Sequence, residues 1–64
     1  MIKINGEIFD AEEIPLQEYL DNNGYHAKKI AVERNEMIVP KADYADCILH
    51  SGDVVEIVTL VGGG

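Results

Sequence analysis

Few side chains in this sequence could do chemistry, and each is quickly placed. His26 and His50 lie far apart, and neither stands in a ligand-spaced cluster with Cys47 or a carboxylate. Both read as ordinary surface histidines. Cys47 is the single thiol; with no base or helix start beside it in sequence, it reads as a small packing residue and not as a nucleophile. Asp10, Glu12 and Glu13 read as a solvated approach to a helix, not as a metal site. Gly62-Gly63-Gly64 is not a phosphate loop, because no helix follows it and no lysine accompanies it. What remains is a carboxylate on Gly64. A carboxylate is a poor electrophile and needs a better leaving group before it can be attacked. A partner could supply one by forming an acyl-adenylate, with its own basic groups and metal neutralising the phosphates. Nothing here is equipped for that step, so the chain is expected to be a substrate and not an enzyme.

The element that must present such an end is the stretch before it. Ser51-Gly52-Asp53 holds the residues of a tight turn. Residues 54–60 are short and rich in β-branched side chains, which favours a strand. Val55 and Ile57 share one parity; Val54, Glu56, Val58 and Leu60 share the other. If Glu56 points to water, Val55 and Ile57 form the core pair. Val58 and Leu60 then lie on an open face beside the glycines, and an uncovered apolar patch there suggests a docking surface made of Glu56, Val58 and Leu60. The glycines have no Cβ to pack and gain nothing from order, so residues 1–60 are expected to form the domain and residues 61–64 a flexible tail. Fully extended, that tail reaches at most ~14 Å and could thread a channel too narrow for any side chain.

The rest of the chain supplies a support for this strand. Met1-Ile2-Lys3-Ile4 alternates, Asn5-Gly6 intervenes, and Glu7-Ile8-Phe9 follows, the strongest short signal for a β-hairpin; Ile2, Ile4 and Ile8 are expected to face one core. Pro15 suits the first turn of a helix over residues 15–22, with Leu16, Tyr19 and Leu20 as its apolar stripe and Asn22-Asn23-Gly24 as its stop. The acidic residues before and within the first turn complement the helix dipole. Residues 30–34 and 37–39 read as two strands with Asn35-Glu36 at the bend, a weaker turn because Glu disfavours positive φ. Pro40 stops the second strand or puts it on an edge. Residues 41–49 read as one irregular helical turn with Tyr44, Ile48 and Leu49 packing inward. The expected fold is therefore α+β in two layers, a mixed sheet of about five strands covered by one main helix. The β-grasp arrangement, with the first and last strands adjacent at the sheet centre, accommodates this order.

Composition sets the bounds on function. Sixty-four residues allow one domain with little room for a deep pocket. Five basic against twelve acidic residues give a net charge of −7. That balance opposes nucleic-acid binding and suits a basic protein groove. One cysteine fits a reducing compartment. No basic-then-apolar leader and no apolar run near the ~18 residues of a membrane span is present. A cytoplasmic location with no membrane association is expected.

Ala31-Val32-Glu33, Ile38-Val39-Pro40-Lys41, Gly52-Asp53-Val54-Val55-Glu56-Ile57 and the closing glycines, in that order and over essentially the whole chain, resemble the ThiS family. These are ubiquitin-like β-grasp sulfur carriers of thiamine biosynthesis. The resemblance implies that an E1-like enzyme adenylates Gly64 with ATP and magnesium, that Gly64 then becomes a thiocarboxylate through a sulfur donor enzyme, and that the sulfur passes on at the thiazole synthase. It implies Gly63 as the second residue of the terminal pair and no cofactor bound by this chain. Tyr44 stands where the family often has tryptophan, and Gly62 is a third glycine where two suffice. Two other readings stay open: the small subunit of molybdopterin synthase, whose chains are usually longer, and a TGS-type RNA-interaction module, which the charge opposes.

Overall fold

The computed structural model describes residues 1–60. Its first element is the expected hairpin, β1 (Ile2–Ile4) and β2 (Glu7–Phe9). Asn5 and Gly6 adopt φ of 50° and 82°, the pair of positive values that a two-residue turn needs to follow the strand twist. A two-residue turn places Ile4 opposite Glu7, so Lys3 faces Ile8 and Ile2 faces Phe9. Ile8 therefore leaves the core with Lys3 and is 55% exposed. This corrects the expected Ile2, Ile4, Ile8 set: Phe9 takes the inner position, edge-on to Tyr19.

A short strand, β3 (Glu13–Pro15), precedes the helix α1 (Leu16–Asn22). Pro15 is the extended residue before the first turn, not a member of it, and Glu13 belongs to β3, not to the helix start. Leu16 and Leu20 are fully buried, with Tyr19 packed at their margin. The helix stops as expected. Gly24 takes φ 75°, its N–H reaches Asp21, and the Tyr25 N–H reaches Leu20, the paired bonds of a glycine-terminated helix end. A 3₁₀ turn over Ala27–Lys29 leads into β4 (Ile30–Arg34) and β5 (Met37–Ile38), joined at Asn35-Glu36.

The expected irregular turn is a 3₁₀ segment over Lys41–Asp46 that buries Tyr44. The stretch that follows forms a further strand, β6 (Ile48–His50), paired antiparallel with β3 in a separate two-stranded sheet. The chain then turns at Ser51-Gly52 into β7 (Val54–Thr59).

The main sheet has the order β2-β1-β7-β4-β5, with β1 and β7 parallel and all other pairs antiparallel. The first and last strands thus lie side by side, as the β-grasp arrangement requires. One face of this sheet meets α1 and the Tyr44 segment around Ile2, Ile4, Ile30, Val32, Leu49, Val55 and Ile57. The other face has no layer over it among the described residues. No described helix is long and apolar enough to cross a membrane.

Candidate functional site

Strand β7 is fixed along its whole length by its neighbours, beginning at Asp53. The Asp53 carboxylate accepts bonds from Arg34 Nε (2.9 Å), the His50 backbone N–H (2.8 Å) and Asn35 Nδ2 (2.9 Å). Asn35 Oδ1 in turn accepts from the Val54 N–H at 2.9 Å. Burial alone pushes the Asp53 carboxyl up, but the His50 N–H, the Asn35 amide and Arg34 together outweigh it and hold the group below its ordinary value. Further along, the register with β1 ends at Val55, and the Asn5 side chain takes over. Its amide gives to the Ile57 carbonyl at 3.2 Å and accepts from the Ile57 N–H at 2.7 Å. The last backbone bond of the described chain runs from the Leu60 N–H to the Lys29 carbonyl at 2.8 Å.

This frame divides β7 as its parity dictates. Val55 and Ile57 are buried at 1% and 6% exposure, while Val54, Val58 and Leu60 stand at 50%, 53% and 48%. Glu56 is exposed beside them. The pairings extend the open face across the sheet: Lys3 lies against both Val54 and Ile8, Ala31 against Val58, and Glu33 against Glu56 and Ile38. Ile8, Glu33 and Ile38 thus join the residues that the sequence reading put there. Counting pairs outward from the Asn5-Gly6 turn would have found Ile8. The others needed the order of the strands.

The remaining candidates do not gather into a reactive centre. His26 and His50 are exposed, and His50 Nδ1 lies 3.5 Å from Glu13 on the paired strand. Cys47 is half-buried against the core, with Arg34 Nη1 at 3.8 Å from its sulfur. No three His, Cys, Asp or Glu side chains converge among the described residues. Gly62, Gly63 and Gly64, and the expectation of a tail, lie outside the described residues.

The sequence model of the ThiS family matches residues 1–64. The chain belongs to the ThiS family. A relative from Thermus thermophilus, called sulfur carrier protein ThiS, is 39% identical over 64 residues and is covered end to end, as is this chain. A crystal structure of the thiamine biosynthesis protein ThiS from Geobacter metallireducens has a TM-score of 0.74 at 25% identity, covering 98% of this chain and 97% of that one. A protein from Paramagnetospirillum magneticum called thiazole synthase is 44% identical over 63 residues, 95% of this chain. The chain spans only 19% of that protein's length. The ubiquitin-like β-grasp fold of ThiS is therefore the fold of this chain.

Proposed function

We propose that this chain carries sulfur as a thiocarboxylate on Gly64, with Gly62 and Gly63 as the slender stem that lets the end enter a partner's catalytic site. Its role as a member of the ThiS family is that of a sulfur carrier protein in thiamine biosynthesis, donating sulfur for thiazole formation. The end-to-end match with the Thermus carrier supports this most directly. Thiazole synthase is its acceptor, a reading supported by the ThiS-like stretch within the Paramagnetospirillum thiazole synthase.

In the proposed sequence an E1-like enzyme supplies ATP and magnesium. A Gly64 carboxylate oxygen attacks the α-phosphorus, pyrophosphate leaves, and an acyl-adenylate remains. Hydrosulfide released by a donor enzyme then attacks the acyl carbon and AMP departs with the oxygen that had joined the phosphorus, so one oxygen of the carboxylate is replaced by sulfur. This chain contributes position and no catalytic group: it is not itself an enzyme. Glu56, Val58 and Leu60, on the face that adjoins the end of β7, form the docking surface for these partners.

The test is intact-mass measurement after incubation with the activating enzyme, ATP and a sulfur donor. Loading adds about 16 Da, the difference between sulfur and oxygen, and fragmentation places it at Gly64 because oxidised methionine adds the same mass. Appending one residue to Gly64 leaves the fold intact and abolishes the gain. Full loading of the extended chain would refute the proposal.

A further inference from the structure

On the open face, Glu33 of β4 and Glu56 of β7 are direct cross-strand partners. Side chains so placed have Cβ atoms roughly 5 Å apart, and like charges there are destabilising. The ion pairs among the described residues are Arg34–Asp53 and His50–Glu13, so neither glutamate has a cation of its own within 4.0 Å. Lys3, which shares the face, stands across from Val54 and forms no such pair. Glu33, Glu36 and Glu56, with Asn35 and Val54, line a hollow of about 490 Å³. Around it Ile8, Val54, Val58 and Ile38 are each half-exposed or more.

We infer that the partner covering this face projects an arginine or lysine into the hollow between Glu33 and Glu56, ringed by apolar side chains that cover Val54, Val58 and Ile38. The inference rests on the open-face docking proposed above and names the chemistry of what docks. A purely apolar surface laid here would strip water from two adjacent carboxylates and return nothing, a heavy penalty. A cation reaching both carboxylates offsets that loss and relieves the repulsion the free protein carries. A second copy of this chain, at net charge −7, would bring the same acidic face against itself. The glutamate pair therefore selects partners, admitting a basic protein surface and rejecting neutral or acidic ones.

The probes are purified thiazole synthase and the purified E1-like enzyme from the same source, titrated with full-length chain across a range of salt. Wild type binds at least one of them, more weakly as salt rises. The double variant Glu33→Gln/Glu56→Gln melts a few degrees higher than wild type, because the repulsion is gone. It binds about tenfold or more weakly and with less salt dependence. Equal affinity and an equal salt slope for the double variant overturn the inference. Val58→Asp separates the two levels: if it abolishes binding while the glutamine pair does not, docking stands and the basic side chain falls. If Val58→Asp binds normally, or wild type binds neither enzyme, docking through this face falls as well.

Discussion

Asp53 ties three segments together: the turn after β6, the β4–β5 bend through Asn35, and β4 through Arg34. Its carboxyl is held below its ordinary value in the folded chain. The charged form is thus favoured by folding. The stability it contributes is full above the unfolded value of about 3.9 and is lost as pH falls through the lower folded value. Asp53→Ala should cost roughly 1–3 kcal/mol at neutral pH, because it removes the charged acceptor of the Arg34, Asn35 and His50 N–H bonds. For a domain of this size, where roughly 0.05–0.15 kcal/mol per residue is the rule, that is a large fraction. Denaturation midpoints measured from pH 6 downward should show wild type losing more stability below about pH 4 than Asp53→Asn does; parallel losses would mean that other carboxyls govern acid unfolding. A second residue-scale prediction concerns Glu36, which adopts φ 71° beside Asn35 at 52°. A side chain in that region costs roughly 1 kcal/mol relative to glycine. Glu36→Gly should therefore raise thermal stability while removing one carboxylate from the hollow on the open face, and a fall in melting temperature would refute this account of the bend.

Elements differ in how plainly their residues announce them. Asn5-Gly6 fixed the first hairpin, Gly24 the end of α1, and the alternation after Asp53 the two faces of β7, because in each case local chemistry admits one backbone path. Glu56, Val58 and Leu60 could be assigned to the open face from that alternation alone. Ile8 falls outside the expected core set because its apolar character alone suggests a core residue, whereas the pairing across the two-residue turn puts it on the face of Lys3. Strand β6 was hidden for a different reason. Ile48-Leu49-His50 is too short to show a period, and its partner β3 ends in Pro15, a residue that reads as a helix start. Only the pairing of Ile14 with Leu49, far apart in sequence, makes either a strand. Asn5 carries a role no turn signal reveals, since its side chain continues the β1 edge along β7. Asn5→Gly keeps the positive φ and deletes only that bridge. It should cost about 1–2 kcal/mol and speed hydrogen exchange at the Ile57 amide; an unchanged Ile57 rate would show that the bridge does not hold β7.

At the scale of the whole molecule, the buried side chains of the described residues all precede the proposed reactive end along the chain. The buried hydrophobics among the described residues lie between Ile2 and Ile57, and the last described backbone bond is that of Leu60. A chain cut after Leu60 therefore retains these core side chains, and its melting temperature should stay within about 3 °C of wild type, a change below 1 kcal/mol for a domain this small. It also retains the open face with Val54, Glu56, Val58 and Leu60, but not the acyl end. If docking and charging are separate functions of body and tail, the truncated body should bind the activating enzyme yet never gain sulfur. In excess it should slow the loading of full-length chain by occupying the same surface. The effect should fade with added salt, since part of the attraction is between an acidic face and a basic partner. A truncated body carrying Val58→Asp should not inhibit at all. Loading rates followed by intact mass at several ratios of truncated to full-length chain check this directly. Failure of a well-folded truncated body to compete would mean that the partner recognises the tail and not the sheet.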